Sequence, residues 1–354
     1  MGSIGGLCRT RRSLMNIIEH HEFLTTKTQL LMEMGHFRPG HMIFLMGPSG
    51  VGKTTLRHAA MQATFGNPLL WGRGKTPAIE CFVVLPQIGF FSSAFLADEM
   101  IDQLNAPSLN WLFENSDIPL NVEGEITANV DEAAKIWPLL KRSGMSERDL
   151  WKTFKRTVKE RGCKYVSLDQ VTGLLVNRKN KKPSDHIEHL MSLGEACGIM
   201  FIMTGVARAS ELWSIHSELR RRVIPVWMSP YSEHNKGDLV HYLQLLKTLS
   251  GKYPLSKNDL LYTMATDIYA MTGGTIGEIV KLMQRAAVLA AMNGDTKLKK
   301  EHIQRASYNE KDLRNLWGDI KEFEIVKATA DSSLRSEEVA ARWSLNKKAT
   351  AKVA

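Results

Sequence analysis

The sequence predicts a layered α/β domain with a mainly parallel sheet, followed by a small all-helical subdomain. Short apolar runs alternate with helix-forming stretches over the first two thirds of the 354 residues. A glycine-rich turn joins the first of those runs to a helix, and from Asp238 onward the pattern is helical throughout. A hydrophobic fraction of 44% gives ample core material for one large domain or two modest ones and excludes a disordered chain.

Taken in order, Ser13–Gly35 reads as a helix, with Ile17, Ile18, Leu24, Leu30, Leu31 and Met34 at helical spacing. Met42–Met46 is a buried-strand candidate and Thr54–Thr64 the helix after it. Glu80–Leu85 is a second strand and Phe95–Leu104 a helix. Asn105–Lys135, with Pro107, Pro119 and Gly124 and few periodic apolar residues, reads as an insertion or lid. Glu147–Arg161 is an amphipathic basic helix. Lys164–Leu168 and Ile199–Met203 are strands with the helix His186–Cys197 between them, and Arg222–Val226 closes the series. Helices are expected at Asp238–Ser250, Asp259–Thr272, Ile276–Asn293 and His302–Asn309. The implied organisation is a basic N-terminal segment and helix (1–35), an α/β core (36–230) with an insertion at about 105–146, a helical lid (231–309) and a polar, loosely ordered tail (310–354). Within that tail a helix is expected around Leu313–Phe323.

No apolar run reaches the roughly 18–20 residues of a membrane span. Arg9, Arg11 and Arg12 are not followed by an apolar stretch, so neither a membrane partner nor a secretory signal is expected. Cys8, Cys81, Cys163 and Cys197 form no C-x-x-C pair, which argues against zinc or a disulfide frame and for a reducing, cytoplasmic setting. The net charge of +9 is weak evidence as a total, but it is segregated. Lys141–Lys182 holds thirteen Lys/Arg against four Asp/Glu, whereas Ser92–Trp137 holds nine Asp/Glu against Lys135 alone.

The run Gly47-Pro48-Ser49-Gly50-Val51-Gly52-Lys53-Thr54 matches G-x-x-x-x-G-K-[ST] between a strand and a helix. Its glycines let backbone N–H groups wrap phosphates, and the helix N-terminus adds its positive dipole end. Lys53 would reach the β- and γ-phosphates of ATP, the Thr54 hydroxyl would ligate Mg2+, and Thr55 completes the nucleotide-binding set. Asp169, after an apolar run, can bind Mg2+ through water; the bland alternative is a residue capping a loop. Hydrolysing enzymes of this type usually carry Glu next, to polarise the attacking water. Here it is Gln170, so ATP binding with weak or absent turnover is expected, since general-base assistance is worth about 10²–10⁴-fold. Thr204 is placed to orient the γ-phosphate or its water, or is a plain strand-end threonine. Of Arg220-Arg221-Arg222, Arg221 or Arg222 could project into a neighbouring subunit's nucleotide, unless the run is only a solvated helix end.

The order of these motifs, ending in Thr272-Gly-Gly-Thr-Ile-Gly277-Glu-Ile-Val-Lys-Leu-Met-Gln-Arg-Ala-Ala287, resembles the AAA+ ATPases. More narrowly it is similar to the TnsC/TniB group of transposition regulators, including those of CRISPR-associated transposons, with MuB more distant. The resemblance covers roughly Ile17 to Ser307 and includes a glycine, Gly277, where many AAA+ lids place a phosphate-sensing arginine. It implies an AAA+ core with a helical lid, and an ATP-dependent ring or helical oligomer on double-stranded DNA. That oligomer would link a target-selection protein or CRISPR effector complex to transposase subunits. The chain departs from the pattern at Gln170, in the 116-residue span from Lys53 to Asp169, and in Leu85–Leu96, which lacks the basic residues these relatives carry for DNA.

The DNA expectation therefore falls on Lys152, Lys155, Arg156 and Lys159, which share one helix face, and on Arg178 and Lys179 in the following basic loop. Without interleaved aromatic residues, phosphate contact without base reading is the natural mode, against the alternative of a solvated face. Two other classes remain in view. One is a helicase-loader or replication-initiation ATPase, whose output is hydrolysis. The other is a P-loop kinase for a small substrate, which the helical lid and arginine run argue against.

Overall fold

The computed structural model describes residues 17–72, 74–84, 89–113, 144–176, 182–213 and 217–330. Five parallel strands, β1 (Met42–Met46), β2 (Ala78–Phe82), β3 (Tyr165–Asp169), β4 (Met200–Gly205) and β5 (Val223–Trp227), form one sheet in the order β2-β3-β4-β1-β5. A parallel sheet is covered on both faces, which is why its inner strands read as unbroken apolar runs. The strand period of two then sorts the residues. Met42, Phe44, Val166, Leu168, Phe201 and Met203 enter one core, and Ile43, Leu45, Tyr165, Met200 and Ile202 the other. The first core is covered by α3 (Ser93–Asn105), α5 (Glu147–Glu160) and α6 (Pro183–Cys197). The second is covered by α1 (His21–Gly35), α2 (Lys53–Phe65) and the single turn α4 (Asn110–Phe113). Pro225 lies in β5, which pairs only with β1 at the sheet edge, where a missing N–H is tolerated.

After β5 the chain forms the lid: α8 (Lys236–Ser250), α9 (Leu260–Thr263), α10 (Ala265–Thr272), α11 (Ile276–Met292) and α12 (Lys300–Arg305), around a separate core that includes Leu246, Ile268, Leu282 and Ile303. A 21-residue helix, α13 (Glu310–Ala330), follows.

The architecture agrees with the sequence expectation and corrects it locally. The first helix starts at His21, because Ile17–His20 are not helical: His20 has extended backbone and its buried ring meets the Tyr231 hydroxyl at 2.8 Å. The helix expected over Asp259–Thr272 is two, broken at the buried Met264. The helix expected around Leu313–Phe323 is present and longer, so 310–330 as a whole is helical rather than loosely ordered. Phe323 is buried against Trp227 of β5, the Trp317 indole donates to the Ala270 carbonyl of the lid, and Lys327 reaches the Ser229 hydroxyl. These contacts, one apolar and two hydrogen-bonded, tie α13 to core and lid, although its own sequence is mostly polar. Residues 1–16 of the N-terminal segment, 114–143 of the insertion, 331–354 of the tail, and Arg178 and Lys179 lie outside the described residues. Among the described residues no helix is long and apolar enough to cross a membrane.

Candidate nucleotide-binding site

The glycine-rich loop leaves the carboxyl end of β1 and enters α2 at Lys53. Gly52, the residue before the helix, has φ 106°, a left-handed conformation that strongly favours glycine, and no side chain caps α2. The first N–H groups of α2 are thus left for an anion. At Gly47 a Cβ would stand 2.5 Å from the Met228 carbonyl, so the loop closes only around glycine there. The loop thus has the free backbone donors that a phosphate cradle needs.

Lys53 donates to the Gly47 and Pro48 carbonyls, each at 2.8 Å, and so lies along the loop it would serve. Burial pushes its ammonium down to about 8, with nearby Asp169 acting in the opposite sense. A bound phosphate stabilises the charged form, so nucleotide affinity should be full below pH 8. It should fall by up to about tenfold per pH unit above that, as the free protein loses the proton. Calorimetry at pH 8–9 in buffers of different ionisation enthalpy should show proton uptake on nucleotide binding; no uptake would mean that Lys53 stays charged in the free protein.

The Thr54 hydroxyl lies 3.3 Å from Asp169 Oδ2, the contact expected of two residues that would share a Mg2+ ion and its waters. Among the described residues no group of three His, Cys, Asp or Glu could hold a metal. Thr55 is exposed on the next position of α2. Gln170 follows Asp169 with φ 55°, the one positive φ among the described non-glycine residues, and its backbone N–H donates to Asp169 Oδ1 at 2.8 Å. Its side chain is exposed.

Thr204 is the last residue but one of β4 and does not face an open site: it is 1% exposed and accepts a 3.3 Å hydrogen bond from Arg57. Arg57, together with Glu80 and His58, forms a cluster that the sequence reading missed. The signal was there: Glu80 interrupts an apolar strand, and Arg57 falls on the core-facing side of its helix. Strand parity puts Glu80, Asp169 and Thr204 all on the α2 side of the sheet, opposite Ile79, Leu168 and Met203.

The lid meets the loop through backbone. The Gly277 N–H donates to the Gly50 carbonyl at 2.7 Å, and a Cβ on Gly277 would lie 2.3 Å from that oxygen. Glu278 is buried beside Gly50 and paired with Lys281 and the Tyr308 hydroxyl. The arginine run sits in α7 (Ser217–Arg222), at the opposite end of the sheet. Val223 pairs with Met42, so the length of β1 separates the run from the chain's own loop. Arg222 is ion-paired with Glu195, whereas Arg220 and Arg221 are exposed. On α5, Lys152, Lys155, Arg156 and Lys159 are all exposed, and Leu150, Trp151, Phe154 and Val158 are buried. This basic face is on the side of the sheet away from α2, so the sheet lies between it and the phosphate-loop helix.

No protein-family model matches the chain, and no curated protein matches its sequence. Similar solved structures include ORC2 of Aeropyrum pernix, as ADPNP–ADP complexes (TM-score 0.50, 12% identity, 82% of this chain and 69% of that one). The ADP form of the same protein has a TM-score of 0.51, 12% identity and coverage of 80% of this chain and 66% of that one. A Walker-type ATPase of Pyrococcus abyssi has a TM-score of 0.50, 14% identity and coverage of 86% and 75%. The chain shares the α/β fold of these structures: a parallel sheet with the glycine-rich loop after its first strand, followed by a helical subdomain.

Proposed function

We propose that this protein is an ATP-dependent switch that binds Mg-ATP, oligomerises on duplex DNA and regulates transposition by linking a target-selection complex to transposase subunits. The observation that carries the nucleotide part is the apposition of Thr54 and Asp169 at the mouth of the uncapped, glycine-lined loop. With Mg-ATP bound, the loop N–H groups and Lys53 would hold the phosphates, Thr54 and Asp169 the metal, and the ion would neutralise phosphate charge. Gln170 supplies no base, so the bound state would be long-lived, as suits a switch. Arg221 is exposed and too far along the sheet for its own loop, so it would act on a neighbour's nucleotide. The basic face of α5 would meet DNA phosphates, and repetition along a duplex would multiply modest contacts. The transposition role rests on the order of motifs that resembles the TnsC/TniB group.

The similarity in fold to ORC2 favours a second reading, a replication-initiation or helicase-loading ATPase. Electron microscopy with duplex DNA, with and without ATP, tests the assembly. Rings or filaments are expected only with ATP, and Lys53→Ala should lose both them and nucleotide binding. Assembly by Lys53→Ala that still depends on ATP would sink the scheme. Charge reversal at Lys152, Lys155 and Lys159 should weaken DNA binding and lower the slope of log K against log salt by about 1 per lost phosphate contact; an unchanged slope would remove α5 from the interface.

A further inference from the structure

Arg57 is completely buried, four residues into α2 from the phosphate-loop lysine. A buried guanidinium persists only where its charge and its donors are answered. Nη1 lies 3.2 Å from Asp169 Oδ2 and 3.3 Å from Thr204 Oγ1. Nη2 bonds Glu80 Oε1 and lies 3.5 Å from His58 Nε2, while Nε has no partner among the described residues. Glu80 is held on both oxygens by His58 Nε2, at 3.0 and 3.1 Å. Burial pushes the Glu80 carboxyl up, but the His58 hydrogen bond and the Arg57 charge outweigh it and leave the carboxyl below its ordinary value. Glu80 is thus an anchored anion on β2, and Arg57 is a cation shared between it and Asp169.

Asp169 Oδ2 is the same oxygen that faces the Thr54 hydroxyl. Asp169, if it held a divalent ion together with Thr54, would have to share between that ion and Arg57 the one carboxylate oxygen both use. We infer that Arg57 is a positioning residue that holds Asp169 while the metal site is unfilled and is drawn back onto Glu80 when Mg2+ arrives. The metal-bound state is thereby registered at β2. This rests on the Mg-nucleotide reading of the loop.

The test uses a fluorescent ATP analogue, titrated with MgCl2 and, separately, in EDTA, on the full chain. Glu80→Gln removes the competing anion and leaves Arg57 to Asp169 alone. The Mg2+ concentration for half-maximal binding should rise on the order of fivefold, with affinity in EDTA unchanged. Arg57→Gln combined with Glu80→Gln frees Asp169, and the Mg2+ requirement should fall to the wild-type value or below. A purely structural cluster would weaken binding in both variants, with and without Mg2+, so that result, or no change, overturns the inference. If the double variant does not fold, Glu80→Gln decides alone: a loss confined to the Mg2+ arm supports the relay, and an equal loss in EDTA overturns it. Wild-type protein that fails to bind the analogue at all would instead overturn the nucleotide reading, and the relay with it.

Discussion

Replacing Gln170 with Glu is expected to raise steady-state ATP turnover by about 10²-fold or more. The substitution is nearly isosteric, and the backbone it uses is already set. Gln170 sits at φ 55° with its N–H on Asp169 Oδ1 at 2.8 Å, and neither feature depends on whether the side chain ends in an amide or a carboxylate. A left-handed non-glycine residue costs about 1 kcal/mol or more and persists where the surroundings over-determine it, here directly after Asp169. The amide cannot accept a proton from water; a carboxylate can, and general-base assistance of this kind is worth about 10²–10⁴-fold. Phosphate release measured at saturating ATP checks it, with the variant's ATP affinity as control. Turnover that does not rise would mean that position 170 is not aimed at the attacking water. The same variant separates the two proposed functions: a motor should gain activity along with turnover, whereas a switch should only leave DNA sooner.

The second large effect is expected at Gly277. A side chain there meets backbone, with its Cβ 2.3 Å from the Gly50 carbonyl, and no rotamer relieves that contact. The clash also sits on the hydrogen bond by which α11 docks on the loop, Gly277 N–H to Gly50 O at 2.7 Å. Overpacking of this kind costs about 1–3 kcal/mol. It should appear as a lid displaced from the loop rather than a core that unfolds, because the lid has its own apolar core around Leu246 and Leu282. Gly277→Leu is therefore expected to weaken nucleotide binding by about 10–100-fold with far-UV circular dichroism unchanged. Hydrogen exchange should rise in the loop and in α11. Full affinity in this variant would show that lid docking through Gly277 is dispensable.

The lid glycine also shows why some of the site was legible in the sequence and some was not. Gly47–Thr54 could be read because its requirements are local: glycines where the turn is tight, a lysine and a threonine at fixed offsets, a strand before and a helix after. Asp169 could be read because an acidic residue ends an apolar run. By contrast, helix periodicity turns Arg57 inward, but what it pairs with is not defined until β2, β3 and β4 are laid side by side. Its partners stand 23 and 147 residues away in the chain at Glu80 and Thr204, and it also meets Asp169. Thr204 reads either as a residue that orients phosphate or as a plain strand-end threonine, and its burial beneath Arg57 is a product of strand order. Of residues 310–330 only Leu313–Phe323 reads as helix, within an otherwise polar tail, because three apolar anchors, Leu316, Ile320 and Phe323, are thinly spread among charges. Only the surfaces of core and lid that receive them make the helix whole.

The parallel sheet, the phosphate loop and the separate lid followed from periodicity and short-range motif alone, because chain geometry imposes those patterns on neighbouring residues whatever lies elsewhere. The pairing of Arg57 with Asp169, the docking of Gly277 on Gly50 and the separation of the α5 basic face from the loop were decided by folding. Each depends on which distant segments the sheet order brings together, and a buried charge declares its role only once its counter-charge is in place.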